Sequence, residues 1–308
     1  MNENATIRVG TRASTLALRQ AEWVARELRR VRSDLSVELV RIRTSGDRIL
    51  DRSLAEIGGK GLFVKEIEEA LLDGRIDLAV HSMKDVPVAV AAGLCLAAVP
   101  AREDPSDVLV AHSPGGLSGL RVGARIGTAS LRRAAFVRHA RQDLEVVALR
   151  GNVDTRVAKW RSGEVDALVL AAAGLSRLGL RIPQAQTLSR SEMLPAIGQG
   201  ALAVETRTEG AWRQLAGVLD DADAHAAVLA ERAFLRGMGG DCTTPIAAHA
   251  LVSAQEVELS AAVADPSGRR LIRTSLRGAR AAAEEVGTTA AEEILARGGR
   301  EILEGLRR

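Results

Sequence analysis

The sequence contains no tyrosine and only three phenylalanines and three tryptophans among its 308 residues. Proteins that bind single-stranded nucleic acid stack bases on aromatic side chains, so this scarcity argues against that class of function. The formal net charge is only +3, and acidic and basic residues are interspersed along the chain. We therefore expect no nucleic-acid partner.

Signatures of metal, membrane and nucleotide sites are also missing. Cys95 and Cys242 lie far apart without a CxxC spacing, and the five histidines show no HExxH pattern, so no metal is expected. No apolar run approaches the ~20 residues that a spanning helix needs. The polar start MNENATIRVG leaves no room for a signal peptide before its first strand, which favours the cytoplasm. GGKGLF (58–63) lacks the spacing of a phosphate loop and indicates a flexible loop instead.

Strand and helix patterns alternate through the first two thirds of the chain. TIRVG (6–10) predicts a strand, and the apolar spacing after it predicts a helix capped by Ser14. SVELVRIR (36–43) and IDLAV (76–80) predict further strands, with a helix over Phe63–Leu71 between them. This alternation is typical of α/β domains with a mainly parallel sheet.

The second part of the chain repeats motifs of the first in the same order. VGTRAS (9–14) has its counterpart in IGTAS (126–130), and GRID (74–77) in GEVD (163–166). We expect two similar α/β lobes, the first formed by residues 1–101 and 198–219 and the second by 102–197. The segment LPAIGQGALAVE (194–205) would return the chain to the first lobe.

The composition changes after Asp220. A helical apolar stripe from Ala226 to Phe234 is followed by the glycine-rich GMGGDCTTP and by alternating strands through about Ala264. A final helix rich in Ala and Glu completes a small C-terminal α+β domain, residues 220–308. This region contains Cys242 in a tight loop where the glycines leave the thiol approachable.

Arginines are concentrated in short loops after predicted strands, in GTASLRR (127–133) and LRGNVDTR (149–156). Ligands of open α/β sheets bind at the carboxyl ends of strands, and guanidinium groups match carboxylate or phosphate. We expect an arginine-lined cleft for an anion. Asp85 and Lys84 follow IDLAV, so Asp85 is either a proton-transfer group or a solvated loop carboxylate. Cys242 is either an attachment point or an ordinary loop thiol.

Taken together, HSMKDVP, GTASLRR, LRGNVDTR, LPAIGQGALAVE and the loop cysteine resemble the porphobilinogen deaminase family. The motifs occur in family order from VGTRASTLAL to the Cys242 loop. The resemblance implies two lobes of the type II periplasmic-binding-protein kind around a cleft, and a C-terminal domain that carries the cofactor cysteine. It further implies a monomeric, cytoplasmic transferase of tetrapyrrole and haem biosynthesis. Such an enzyme joins four porphobilinogens head to tail with loss of ammonia and then releases hydroxymethylbilane.

The resemblance also implies roles for individual residues. Cys242 would hold a dipyrromethane cofactor through a thioether, and Asp85 would be the catalytic aspartate. Carboxylates of cofactor and substrate would be bound by Arg12, Ser14, Lys84, Ser130, Arg132, Arg133, Arg150, Arg156 and Arg177, with Lys60 a further candidate in the loop over the cleft. Glu56 and Asp241 depart from the family pattern, which puts loop contacts and the rate of cofactor attachment in question.

Two other classes of function remain open on the residues alone. A two-lobed anion-binding or effector-sensing protein would need the arginines but neither Asp85 nor Cys242. A nucleic-acid-binding protein would need a continuous basic stripe and a steep dependence of affinity on salt.

Overall fold

A computed structural model describes residues 6–48, 61–240 and 244–306, with the backbone alone for Asp47 and Arg48. The chain forms two compact units. The first consists of Met1–Glu103 and Ala201–His225, and the second of Asp104–Gly200 and Ala226–Arg308. We call the described part of the first unit the first lobe, and residues 104–200 the second lobe.

The first lobe is a five-stranded sheet with helices on both faces. Its strands are β1 (Thr6–Arg12), β2 (Ser36–Ile42), β3 (Leu78–Ser82), β4 (Leu94–Ala98) and β10 (Leu202–Arg207). Its helices are α1 (Thr15–Val31), the single turn α2 (Ser45–Arg48), α3 (Lys65–Leu72) and α7 (Ala211–Gly217), and a 3-10 turn spans Met83–Asp85. The expected helix over Phe63–Leu71 therefore begins two residues later, at Lys65.

Strand alternation explains why both faces of this sheet are covered. Along β3, Leu78 and Val80 pack in a core with α1, whereas Ala79 packs against α3 on the other face. Period-two alternation puts successive side chains on opposite faces, so a strand that is apolar throughout needs helices on both. The amphipathic spacing of α1 supplies one of them, burying Ala21, Val24 and Leu28.

The second lobe is built from the next elements of the chain. Its strands are β5 (Asp107–Ala111), β6 (Arg125–Gly127), β7 (Glu145–Val147), β8 (Ala167–Ala171) and β9 (Ala185–Thr187). Its helices are α4 (Leu131–Ala140), α5 (Val153–Arg161) and α6 (Ala172–Leu178), with a 3-10 turn at Gly116–Gly119.

The two lobes share one topology. The strand order is β2-β1-β3-β10-β4 in the first lobe and β7-β6-β8-β5-β9 in the second. In each, the second strand in this order pairs in parallel with its two neighbours, and the fourth runs antiparallel. Four of the five strands in each of these sheets run in one direction, as expected for a mainly parallel sheet, and the strand fourth in the order runs opposite to them. The reason is that β5 and β10 enter their sheets directly from the other half of the chain, without a helical crossover.

The repeated motif before the third strand of each lobe has one physical role. Asp77 accepts the backbone N–H of Arg8 at 2.9 Å, and Asp166 accepts that of Arg125 at 2.7 Å. The turn before each carboxylate needs a glycine with positive φ, Gly74 at 70° and Gly163 at 79°. The motif therefore fastens the first strand of each lobe to the third.

The C-terminal region is a three-stranded antiparallel sheet with helices packed on it. Its elements are α8 (Ala222–Gly237), β11 (Ile246–Val252), β12 (Glu256–Ala264), β13 (Leu271–Ala279), α9 (Ala283–Ile294) and α10 (Arg300–Gly305), with a 3-10 turn at Arg280–Ala282 and a kinked turn at Leu295–Gly299. The expectation that strands end near Ala264 missed β13. Its residues are mostly half-buried or exposed, so its apolar signal is weak.

The second lobe and the C-terminal sheet share a core. Ala247 and Ala262 of that sheet pack with Leu109, Ile126 and Phe136 of the lobe. The proposed division into three domains, with its boundaries, stays a prediction, as does the cleft. The architecture itself, two similar α/β lobes of the type II periplasmic-binding-protein kind with an additional α+β region, is confirmed by the sheet topology. In the described ranges, no helix is long and apolar enough to cross a membrane.

Candidate active site

The first lobe brings Arg12 and Asp85 together at one edge of its sheet. Arg12 ends β1, and Asp85 lies in the 3-10 turn after β3, which is the parallel neighbour of β1. Arg12 Nη1 lies 3.9 Å from Asp85 Oδ2, and the guanidinium carbon lies 4.1 Å from the centre of the Phe63 ring. Both charged side chains remain partly exposed. Asp85 is therefore a carboxylate held beside a cation and reachable by a ligand.

Ser14 and Lys84 flank this pair. The Ser14 hydroxyl accepts the N–H of Ala17 at 3.3 Å and caps α1, as its position in the sequence predicts. Lys84 precedes Asp85 in the turn and is exposed. Binding of a ligand carboxylate by either side chain stays a prediction.

In the second lobe, Arg132 and Arg133 are buried around a third residue, Asp107. Arg132 Nη1 donates to Asp107 Oδ2 at 2.7 Å, while Nε and Nη2 of Arg133 donate to Oδ1 at 2.9 and 2.7 Å. Asp107 is fully buried, and the arginines are 4% and 6% exposed. The two guanidinium groups thus converge on one carboxylate from consecutive positions of α4.

These buried charges shift one another's pKa values. Burial opposes ionisation of Asp107, but the positive charges of Arg132 and Arg133 outweigh it and lower the Asp107 pKa to about 2. Burial also lowers the pKa of Arg133, and the charge of Arg132 adds to that effect while Asp107 opposes it. The carboxylate is therefore ionised at neutral pH and neutralises one of the two positive charges.

The other predicted residues of this lobe follow its strands. The Ser130 hydroxyl accepts the N–H of Arg133 at 3.4 Å and caps α4. Arg150 follows β7, and Arg156 lies in α5 with its Nε donating to the Gly151 carbonyl at 2.9 Å. Arg177 in α6 donates to the Gly200 carbonyl at 2.7 Å.

Arg156 shows that positive charge is in excess here. Its pKa is lowered to about 10, first by burial and then by repulsion from Arg133 and Arg150. One nitrogen of the cluster also has no acceptor: within the described residues, Arg132 Nε is buried and unpartnered. Buried donors and crowded cations are stabilised by anions, so these residues fit an anionic group such as a carboxylate.

Four positions of interest lie outside the described residues. They are the candidate ligand Lys60, the candidate attachment residue Cys242, and the two departures Glu56 and Asp241. Their roles stay predictions.

Family models match the chain along most of its length. The model described as "Porphobilinogen deaminase, dipyromethane cofactor binding domain" matches residues 7–214, and "Porphobilinogen deaminase, C-terminal domain" matches 225–296. The chain belongs to the porphobilinogen deaminase family. The resemblance inferred from its motifs is thereby confirmed, as are a transferase of tetrapyrrole biosynthesis as the class of enzyme and dipyrromethane as the family's cofactor.

Curated relatives agree over nearly the whole length. The porphobilinogen deaminase of Syntrophotalea carbinolica is 53% identical over 98% of this chain and 96% of its own. That of Trichlorobacter lovleyi is 50% identical over 97% of this chain and 96% of its own. Each of these two alignments covers at least 96% of both chains.

Solved structures with a similar shape are more distant. The BenM effector binding domain with benzoate covers 68% of this chain and 88% of its own, at 13% identity and a TM-score of 0.43. The periplasmic aliphatic sulphonate binding protein SsuA from Escherichia coli covers 78% and 71%, at 18% identity and 0.40. The fold assignment rests on the sheet topology and not on these values.

The sequence motifs did not assign a role to two residues that make prominent contacts in the structure, Asp107 and Gln199. Asp107 opens the apolar strand SDVLVA, and a charge at the start of such a run is a local signal for a polar role. Gln199 lies in the quoted LPAIGQGALAVE motif without an assigned role, and its amide donates to Asp107 Oδ1 at 3.1 Å and to the Pro105 carbonyl at 2.6 Å.

Proposed function

We propose that this protein joins four porphobilinogens head to tail, with loss of one ammonia for each, and releases hydroxymethylbilane. The observation that carries the proposal is the excess of positive charge in the second lobe. Burial lowers the Arg156 pKa, and repulsion from Arg133 and Arg150 lowers it further, to about 10. Each porphobilinogen carries an acetate and a propionate, so a growing chain of them supplies carboxylates that guanidinium groups can bind.

Asp85 is the catalytic residue of the proposal. Its carboxylate can hold a proton for departing ammonia and stabilise positive charge that develops on a pyrrole nitrogen. The Arg12 guanidinium 3.9 Å away and the partial exposure of both side chains support this role, because the carboxylate is oriented yet accessible. An anion-binding or effector-sensing protein would have no need for a carboxylate at this place.

The cofactor is assigned to Cys242 through a thioether. When bound, dipyrromethane supplies the primer on which pyrrole units are added. Its carboxylates would be held by the second-lobe arginines, with Arg132 Nε and Arg156 the donors most in need of an anion. Ser130, Arg150 and Arg177 from that lobe, and Arg12, Ser14, Lys84 and Lys60 from the first unit, complete the proposed set of ligands.

The proposed setting is a monomer in the cytoplasm that works without nucleic acid. Among the described residues, the large exposed hydrophobic side chains are scattered along the chain; they are Val31, Leu72, Val122, Val218, Leu229 and Leu251. Scattered apolar side chains are normal for a monomer's surface. The near-balanced charge supports the absence of a nucleic-acid partner.

An intact-protein mass spectrum tests the proposal directly. The purified protein from a tetrapyrrole-producing host should carry one adduct with the mass of dipyrromethane. Limiting porphobilinogen should then produce species that are heavier by one pyrrole unit at a time. Cys242→Ser should abolish the adduct, whereas the matched variant Cys95→Ser should retain it. An unmodified wild-type chain that adds no porphobilinogen would refute the function.

A further inference from the structure

The two lobes carry different side chains at matched positions near the start of a helix. Ser14 caps α1 and Ser130 caps α4, each after the first strand of its lobe. Two and three residues beyond the cap, the first lobe has Leu16 and Ala17, whereas the second has Arg132 and Arg133. The same local structure therefore presents apolar side chains in one lobe and two guanidinium groups in the other.

The strand opposite this helix start differs in the same sense. Leu202 begins β10 and pairs with Ser82, the last residue of β3. Asp107 begins β5 and pairs with Ala171, the last residue of β8. Since β10 and β5 occupy the same place in their sheets, Leu202 and Asp107 are counterparts. Each is buried, Leu202 at 2% and Asp107 at 0% exposure.

The first lobe therefore shows that this part of the fold forms with Leu16, Ala17 and Leu202 in place of the three charged residues. Removing two guanidinium groups and a carboxylate from water is costly, and replacing buried ion pairs by apolar side chains is often neutral or stabilising. The charged trio Asp107, Arg132 and Arg133 is thus not required by the architecture. Its retention in one lobe points to a role in the site.

The hydrogen bonds divide that role between the two arginines. Every guanidinium nitrogen of Arg133 has an acceptor: Nε and Nη2 bind Asp107, and Nη1 donates to the Val169 carbonyl at 3.0 Å. In the part of the chain that the structure describes, Arg132 is held through Nη1, which donates to Asp107 at 2.7 Å and to the Leu194 carbonyl at 2.6 Å. Its Nε is buried without a partner among the described residues.

We propose that Asp107 is a positioning residue, which orients Arg132 so that the edge containing Nε is left for a ligand carboxylate. Arg133 is a second support, because its donors are already committed to Asp107 and Val169. The inference rests on the proposed function, in that the ligand is a carboxylate of the pyrrole chain. It separates the arginine pair into one residue that touches the ligand and one that acts through Asp107.

The test compares Asp107→Asn with Asp166→Asn. Asp166 pairs with Arg121 at 3.0 Å and accepts the Arg125 N–H. It lies in the same lobe as Asp107 but directly before the start of β8, whereas Asp107 pairs with Ala171 at the end of β8. Asp107→Asn should raise the KM for porphobilinogen on the order of 100-fold, because a misplacement of about 1 Å has that effect on a positioned group. Asp166→Asn should leave KM within about threefold of wild type, as expected for a change remote from the ligand.

Two further variants separate positioning from folding. Asp107→Glu keeps the charge but moves it by one methylene, so it should fold and still raise KM by roughly tenfold. The triple variant Asp107→Leu, Arg132→Leu, Arg133→Ala copies the first lobe and should keep the thermal unfolding midpoint of wild type.

Three outcomes would overturn the inference. One is a folded Asp107→Asn or Asp107→Glu protein with the KM of wild type. Another is an equal effect of Asp107→Asn and Asp166→Asn on KM. The third is a triple variant that unfolds as readily as Asp107→Asn, which would make the trio a structural requirement. In each case the wild type still elongates its pyrrole chain, so the proposed function stands. A wild type that adds no porphobilinogen defeats both.

Discussion

The two lobes have the same strand order, the same serine caps and the same aspartate bond between the first and third strands, yet the candidate site residues at the carboxyl ends of their strands differ. The first lobe offers the carboxylate of Asp85 beside Arg12 at 3.9 Å. The second offers arginines, among them Arg156, whose pKa is lowered to about 10 first by burial and then by repulsion from Arg133 and Arg150. A shared scaffold therefore supports two different sets of candidate site residues, because loop residues can change without altering the sheet.

The difference extends into the interior. Leu202 is buried in the first lobe at the position that Asp107 occupies in the second. The buried charged trio Asp107, Arg132 and Arg133 belongs to the second lobe. Apolar packing at this place stabilises the fold, whereas the ion pairs orient donors. Substitutions on each side of this division between scaffold and site should therefore have effects of different size and kind.

Asp85→Asn should reduce turnover of porphobilinogen on the order of 1,000-fold, because a neutral amide can neither accept a proton nor stabilise positive charge. Steady-state release of hydroxymethylbilane measures it, with circular dichroism to confirm the fold. Asp77→Asn is the control, since Asp77 belongs to the same lobe but bonds Arg8 at the start of β1. Comparable turnover in the two variants would remove Asp85 from the reaction.

Arg156→Gln should raise the KM for porphobilinogen by roughly 10- to 100-fold, the equivalent of one charge-assisted hydrogen bond. Loss of binding energy and not of chemistry is expected, so kcat should change less than KM. Arg161→Gln, an exposed position at the end of the same helix α5, is the matched control. If both variants bind substrate as wild type does, the excess positive charge has no part in binding.

Acid should destabilise the second lobe through Asp107. Its pKa is about 2 in the folded protein against a usual value of 3.8. The carboxylate thus contributes stability in full above about pH 4, which is lost as pH falls through about 2 and amounts to about 2 kcal/mol. Urea unfolding followed by Trp160 fluorescence, with Trp23 and Trp212 replaced by Phe, reports this lobe.

Asp107→Asn should flatten that pH dependence. Asp77→Asn is the first-lobe control, read with Trp160 replaced and Trp23 and Trp212 retained. A second-lobe transition that keeps its full acid sensitivity in Asp107→Asn would assign the effect to other carboxylates.

The helix caps should have the smallest and most equal effects. Ser14→Ala and Ser130→Ala should each reduce the free energy of unfolding by about 1 kcal/mol, because each loses one hydrogen bond to a helix N–H. Urea titration measures both, and Thr15→Ala, next to the first cap and exposed, is the control. A markedly unequal pair would show that the lobes are less alike locally than their topology indicates.

Much of the fold was predictable from local patterns. The strand at Thr6–Arg12, the helix that Ser14 caps and the return of the chain through LPAIGQGALAVE into the first sheet all follow from periodicity and turn residues. The sequence echoes also predicted two similar lobes. The antiparallel pairing of β5 and β10 was not predictable in this way, because strand direction depends on how distant segments meet.

The candidate site likewise contains residues that the sequence predicts and one that it does not. The arginines and Asp85 were identifiable as candidates because they follow predicted strands in family motifs. Asp107 was not, since its partner Arg133 lies 26 residues away and nothing local indicates that both are buried. Tertiary packing also decides that the Arg133 donors all have acceptors. It decides in the same way that Arg132 Nε has no partner within the described ranges.

The sequence by itself determined the order of the elements, the internal repeat, the family and the sign of the ligand's charge, because these depend on local periodicity, turn chemistry and the residues present. The tertiary structure decided which charges neutralise one another. Coulomb interactions and burial depend on distances of a few ångströms between segments that are far apart in the chain. That is why Arg132 and Arg133 differ, although they are adjacent in sequence and alike in chemistry. The Arg133 donors bind protein acceptors, whereas within the described residues Arg132 Nε has no partner.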